Sequence, residues 1–205
     1  MGFFNDSLTH SMRETSCASV NEISETDNSM DCPECSSLIT PANNWYYSTM
    51  MVPKEFKEKV LVHVVSQYMT LNEFFVPPLY LAIEGPAGEG KTSQTIAVLT
   101  QHNIEVLYVS ASEISGSHEG DPVKILNGIY NYAVHRSKRG YCIAILIDDF
   151  HMGAINQDSK TEKTINSNLL TGRMMNLADC SGEKKIPVIM TGNDFSTVYA
   201  PLLRS

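Results

Sequence analysis

The sequence predicts an α/β fold, a doubly wound parallel sheet with helices on both faces, preceded by a disordered tail. Short apolar runs of strand length alternate with stretches of helical period, which is the pattern of a parallel sheet with crossover helices. Residues 142–147 are apolar at every position, as in a central strand that is covered on both faces. Several of these runs end in polar residues or glycine, and the carboxyl ends of strands are where open α/β sheets bind ligands.

Residues 1–44 are predicted to form a disordered or weakly ordered tail. They are rich in Ser, Thr, Asn, Asp and Glu and show little periodic apolar pattern. Such a segment buries too little apolar surface to offset the entropy that it loses on ordering. Residues 45–205 are then predicted to be the folded α/β domain, because a chain of 205 residues has room for one such domain and a tail.

The first predicted helix begins near Pro53, since proline suits the first position of a helix. Apolar residues recur in it at intervals of four and predict that it packs on a core; they are Phe56, Val60, Val64 and Tyr68. The proline pair at 77–78 leads the chain into an apolar strand at 79–83. The later elements are predicted, in order, to be a helix at 92–99, a strand at 105–110, a helix that starts at 121 and ends before 140, a strand at 142–147, a helix at 164–179 and a strand at 185–191.

The turn between the strand at 79–83 and the next helix carries the strongest chemical signal. Residues 85–92 satisfy Gly-x-x-x-x-Gly-Lys-Thr, the phosphate-binding P-loop, in the strand-to-helix setting that this motif requires. Glycines let the backbone amides point at phosphate oxygens, and the helix amino terminus adds the positive end of its dipole. Lys91 can reach the β- and γ-phosphates, and the Thr92 hydroxyl can ligate Mg²⁺. The predicted cofactors are therefore ATP and Mg²⁺, bound by Gly85, Pro86, Ala87, Gly88, Glu89, Gly90, Lys91, Thr92 and Ser93.

Acidic and amide side chains follow two of the later strands. Asp148 and Asp149 come directly after the buried run at 142–147, which is the Walker B arrangement of a P-loop NTPase. Asp148 is predicted to be a metal-site residue that holds the hydration shell of Mg²⁺, and Asp149 to activate or orient the attacking water. Asn193 ends the next strand and is predicted to position that water or contact the γ-phosphate. The simpler interpretation of these residues is an ordinary polar strand end or turn.

Composition narrows the remaining classes of function. A net charge of −8 and a pI of about 5.2 argue against a broad nucleic-acid surface, which needs clustered lysine and arginine. No apolar run approaches the length of a membrane span, and no signal or transit peptide pattern is found, so we expect a cytoplasmic protein without a membrane partner.

Cys32 and Cys35 form a C-x-x-C pair. A second pair at zinc spacing is missing, so either a zinc half-site or a reducible or inert thiol pair is possible.

The motifs between residues 45 and 205 together resemble the AAA+ ATPases, and more closely the Rubisco activases. The most specific segment is 191–204, Thr-Gly-Asn-Asp-Phe-Ser-Thr-Val-Tyr-Ala-Pro-Leu-Leu-Arg. Residues 60–64 and 175–179 also resemble the activases, and 110–122 is similar to the activase segment that contains the first pore loop.

The resemblance implies a homo-oligomeric ring that uses ATP turnover to remodel Rubisco and to free inhibitory sugar phosphates from its sites. It implies that Lys91 and Thr92 lie at the nucleotide and Mg²⁺. It also implies that Asp149 holds the Walker B acidic position and that Asn193 is sensor 1. Arg204 matches the first of two arginines that reach into the neighbouring subunit's site.

Three departures from the activase pattern leave alternatives open. His151 stands where activases usually have Asp, and the P-loop is nearer the general AAA+ form. The chain also stops at Ser205, before the second arginine and the helical lid, so we expect an incomplete subdomain with little turnover of its own. The alternatives are a nucleotide-binding regulatory or truncated subunit that co-assembles with a full-length relative, and an AAA+ remodeller of a different protein client.

Overall fold

The computed structural model describes residues 31–69, 77–114, 120–150, 163–179 and 185–196. The strands in these residues are β1 (Ser37–Ile39), β2 (Tyr80–Glu84), β3 (Glu105–Ser110), β4 (Ile143–Asp148) and β5 (Val188–Gly192). The helices are α1 (Trp45–Ser48), α2 (Lys54–Tyr68), α3 (Lys91–Gln101), α4 (Ala111–Ile114), α5 (Asp121–Lys138) and α6 (Lys163–Asp179), with a 3-10 turn at Pro41–Asn43.

The strands form one sheet in the order β1-β3-β4-β5-β2. The four strands that the sequence predicts, β2 to β5, pair in parallel, and β4 lies at the centre. The mostly parallel sheet with helices on both faces confirms the predicted fold class. Because β5 separates β4 from β2, the polar residues after β4 and β5 lie beside the turn after β2.

Successive side chains of β4 point to opposite faces of the sheet and contribute to two separate hydrophobic cores. Ile145 and Ile147 pack with residues of α5 and α6, whereas Ala144 and Leu146 pack with residues of α2 and α3. All of these side chains are buried, which explains why the strand is apolar at successive positions. The two layers of helices hold β4 rigidly up to its last residue, Asp148.

Strand β1 differs from the sequence-based expectation, which placed residues 1–44 in a tail. Ser37, Leu38 and Ile39 pair antiparallel with β3. Leu38 packs against the core of α5 and α6, and Ile39 against the core of α2 and α3. Two apolar residues are too few for a periodic signal, so the pairing follows from the free edge of β3. Residues 1–30 lie outside the described part of the chain.

Polar contacts hold the amino-terminal ends of β3 and β4, at the end of the sheet opposite the P-loop. The Tyr68 hydroxyl donates to the Ile143 carbonyl at 2.6 Å and accepts from the Ile143 amide at 3.0 Å. Arg136 donates from Nε and Nη2 to the Glu105 carboxylate, at 3.0 and 2.5 Å. These contacts anchor the first residues of β3 and β4. Among the described residues, none of the helices is both long enough and apolar enough to span a membrane.

Candidate phosphate- and magnesium-binding site

The turn from β2 into α3 has the backbone geometry of a phosphate cradle. Gly88 and Gly90 have positive φ values of 83° and 78°, a region that residues with a Cβ rarely adopt. A Cβ on Gly85 would lie 3.1 Å from the Glu89 carboxylate. The turn curls tightly ahead of α3, whose amino terminus at Lys91 presents unpaired amides and the positive end of the helix dipole.

Lys91 lies between the P-loop and the residue predicted as sensor 1. Its Nζ donates to the carbonyls of Gly85 and Pro86 at 2.7 and 2.8 Å, and to Asn193 Oδ1 at 3.1 Å. The contact with Asn193 follows from the sheet, because Glu84 at the end of β2 pairs with Gly192 at the end of β5. Two residues predicted from separate motifs are thus brought together by the topology.

Asp148 is joined to the P-loop by a direct hydrogen bond. Thr92 Oγ1 donates to Asp148 Oδ1 at 2.6 Å, and Thr191 Oγ1 donates to the same oxygen at 2.5 Å. The Tyr108 hydroxyl donates to Asp148 Oδ2 at 3.1 Å. The predicted pair of Thr92 and Asp148 is therefore in contact, and both carboxylate oxygens accept hydrogen bonds.

Tyr108 and Thr191 are site residues that the sequence reasoning missed. Thr191 lies in β5, two residues before Asn193, which follows the end of that strand. Tyr108 is found only from the register, in which Ser110 of β3 lies opposite Asp148. Burial and the nearby charge of Asp148 raise the pKa of Tyr108 to about 12, so its hydroxyl remains a donor at neutral pH.

Asp149 has a left-handed backbone conformation, with φ at 53°. A residue other than glycine in this region carries strain, and such strain is frequent at functional sites. The next residue, Phe150, is fully buried and stacks on Phe195 with ring centroids 6.3 Å apart. Packing of Phe150 therefore fixes the turn and leaves the Asp149 side chain exposed at the edge of the sheet.

The residues present fit a magnesium nucleotide. Mg²⁺ prefers hard oxygen ligands, and the Thr92 hydroxyl and the Asp148 carboxylate supply them within hydrogen-bond distance of each other. A glycine-rich turn, a helix amino terminus and a lysine are the groups that bind phosphate in P-loops. The arrangement can therefore hold a polyphosphate and its cation at one edge of the sheet.

The side chains of several predicted residues are not part of this cluster, although the Pro86 carbonyl accepts from Lys91. Pro86, Ala87 and Glu89 are exposed on the turn, and Ser93 lies in the first turn of α3. Arg204 lies outside the described residues, as does His151.

Cys32 and Cys35 lie on the turn that precedes β1, in which the Ser36 amide donates to the Pro33 carbonyl at 2.8 Å. Both thiols are free, and burial raises the pKa of Cys35. Among the residues that the structure describes, no cluster of three or more His, Cys, Asp or Glu side chains is arranged to hold a metal. The described residues therefore offer zinc no more than two thiols at this turn.

The fold and the geometry of the site define the chain as a P-loop protein of the α/β class. Residues 81–205 match the family described as "ATPase family associated with various cellular activities (AAA)". The chain belongs to this family of ATPases.

Curated relatives narrow the similarity within the family. The chain is 33% identical over 165 residues to "Ribulose bisphosphate carboxylase/oxygenase activase, chloroplastic" of Zea mays, a match that covers 75% of this chain and 38% of the relative. It is 33% identical over 161 residues to the activase of the same name from Arabidopsis thaliana, covering 73% of this chain and 34% of the relative. The chain thus spans little more than a third of the length of these relatives.

A solved structure shows a similar fold at lower sequence identity. A chain in the E. coli MS115-1 HORMA:CdnC:Trip13 complex superposes with a TM-score of 0.57 and 18% identity, covering 87% of this chain and 69% of that one. At this identity the likeness concerns the fold alone.

Proposed function

We propose that the chain binds ATP with Mg²⁺ at the carboxyl edge of its sheet and acts as an ATPase of the Rubisco activase type. One observation carries the proposal: the P-loop lysine contacts Asn193, and the P-loop threonine contacts Asp148. Four side chains from two strand ends and one helix converge where a terminal phosphate and its cation would bind. A glycine-rich turn without function would not require these contacts.

Each residue then has a distinct role. Lys91 exchanges its bonds with the Gly85 and Pro86 carbonyls for oxygens of the β- and γ-phosphates, and Thr92 with Asp148 holds the cation. When bound, Mg²⁺ neutralises the charge of the phosphate oxygens and orients them for displacement. Asn193 remains within reach of Lys91 to contact the γ-phosphate or the attacking water. Asp149 is exposed beside them and accepts the proton of that water.

The client is proposed from the relatives. The proteins of maize and Arabidopsis are named as activases of ribulose bisphosphate carboxylase/oxygenase, and about a third of the aligned residues are identical to this chain. We infer that ATP turnover by an oligomer of this chain, or by its co-assembly with a longer relative, remodels Rubisco and frees inhibitory sugar phosphates. Arg204 is the residue that would reach into the neighbouring subunit's site.

Titration with a fluorescent ATP analogue in the presence of Mg²⁺ tests the nucleotide site. Lys91→Ala should weaken binding about tenfold or more, because it removes the P-loop lysine that is proposed to reach the phosphates. Lys59→Ala, on the exposed side of α2, is the matched control and should bind as the wild type does. Equal affinity of wild type and Lys91→Ala would contradict the site.

A second assay tests the proposed client, Rubisco, independently of nucleotide binding. Rubisco inhibited by a tightly bound sugar phosphate should recover activity faster with the chain and ATP than with the chain and ADP. Nucleotide binding without recovery by the chain alone, and without any change in the rate of recovery when the chain is added to a full-length activase, would overturn the Rubisco assignment and leave an ATPase of another client.

A further inference from the structure

The two carboxylate oxygens of Asp148 are held by different elements. Oδ1 accepts from Thr92 on α3 and from Thr191 on β5. Oδ2 accepts from the hydroxyl of Tyr108, on the opposite side of β4. Among the described residues, Tyr108 supplies the hydrogen bond to Oδ2.

The Tyr108 side chain is well fixed. Its backbone is paired on both sides, with Ser37 of β1 and with Leu146 of β4. Leu146 and Asp148 are two residues apart and project to one face of β4, so Tyr108 lies on the face that carries the carboxylate. The ring is partly buried against the core of α2 and α3. Its hydroxyl therefore points at Asp148 from a rigid support.

A cation beside Thr92 would need the Asp148 carboxylate in one fixed orientation. Thr92 Oγ1 donates to Oδ1, and a hydroxyl that ligates a metal through a lone pair keeps its O–H to donate. Thr191 and Tyr108 add donors from β5 and β3. A donor at each oxygen prevents rotation of the carboxylate about its Cβ–Cγ bond.

We propose that Tyr108 is a positioning residue for magnesium: its hydroxyl orients Asp148 so that Oδ1 faces the cation beside Thr92. The proposal rests on the proposed nucleotide site and adds a residue to it from a strand that carries no P-loop or Walker motif. Tyr108 contacts neither phosphate nor metal, and its effect is transmitted through Asp148. Groups that orient metal ligands in this way commonly contribute 10- to 100-fold to metal affinity.

Mg²⁺ titrations of nucleotide binding test the proposal on the full chain. Binding of a fluorescent ATP analogue is measured at increasing Mg²⁺, and again in EDTA. Tyr108→Phe should raise the half-saturating Mg²⁺ concentration about tenfold and leave the affinity in EDTA unchanged. Tyr68→Phe is the matched control, because it removes a tyrosine hydroxyl at the other end of β4 and should leave Mg²⁺ dependence unchanged.

A double-mutant cycle separates positioning from a structural role. On an Asp148→Asn background, Tyr108→Phe should have no further effect on Mg²⁺ dependence. If Tyr108→Phe lowers the melting temperature but leaves the Mg²⁺ requirement at the wild-type value, the tyrosine is structural and the proposal is wrong, while the nucleotide site stands. If Asp148→Asn also leaves the Mg²⁺ requirement unchanged, the proposed metal site fails and this proposal fails with it.

Discussion

His63 on α2 should make the folded domain sensitive to acid. Its side chain is 7% exposed, and its Nε2 has no hydrogen-bond partner among the described residues. Burial lowers its pKa from 6.5 to about 4, although a hydrogen bond with the Val188 backbone opposes the shift. The folded state therefore keeps the imidazole neutral at pH values where the unfolded chain takes up a proton.

The sign and the size of the effect follow from linkage. The depressed pKa of His63 costs no stability above pH 6.5, and stability is lost as the pH falls from 6.5 toward 4. A shift of about 2.5 pKa units corresponds to about 3 kcal/mol in total. Between pH 7 and pH 5, wild type should lose about 2 kcal/mol of unfolding free energy through this residue alone.

Urea unfolding at pH 7 and pH 5 measures the effect. His63→Leu keeps an apolar side chain of similar size at the position and has no titrating group, so its loss between the two pH values should be smaller by about 2 kcal/mol. His135→Gln, on the partly exposed side of α5, should behave as wild type. Equal losses for wild type and His63→Leu would refute the burial argument.

Two further substitutions test the phosphate side of the site. Gly90→Ala places a Cβ at a φ of 78°, which should destabilise the domain by about 1 kcal/mol or more and weaken nucleotide binding. A melting curve measures the stability, and a nucleotide titration measures the affinity. Unchanged values of both would argue against the observed turn. Asn193→Ala should leave ATP affinity within a few-fold of wild type and lower hydrolysis by the assembled ATPase about 100-fold. Steady-state phosphate release measures the rate, and an unchanged rate would remove Asn193 from the catalytic residues.

The residues proposed to bind phosphate and Mg²⁺ could be selected from the sequence because each of them is marked locally. A glycine-rich turn before Lys91, an acid after an apolar run and an asparagine after the next strand can all be recognised without three-dimensional information. Their convergence was also predictable, since the carboxyl ends of parallel strands lie at one edge of a sheet. The contacts of Lys91 with Asn193 and of Thr92 with Asp148 agree with that reasoning.

Features that depend on the pairing register of the strands, or on the free edge strand of the sheet, could not be predicted from the sequence. Tyr108 lies 40 residues from Asp148 in sequence, and only the pairing of Ser110 with Asp148 brings them together. Strand β1 has three residues and forms because β3 offers a free edge, which no local pattern reveals. The burial of His63 was equally hidden, because a histidine within an amphipathic pattern can lie on either face of the helix.

Thermal melting with and without ATP and Mg²⁺ tests the central claim most directly. A ligand that binds only the folded state stabilises it by about 2.7 kcal/mol at a hundredfold excess over its dissociation constant. For a chain of this size, the midpoint should rise by roughly 5–10 °C. Lys91→Ala should lose most of the rise, and Asp148→Asn should lose its dependence on Mg²⁺. A wild-type midpoint that is the same with and without ATP and Mg²⁺ would contradict nucleotide binding at this site.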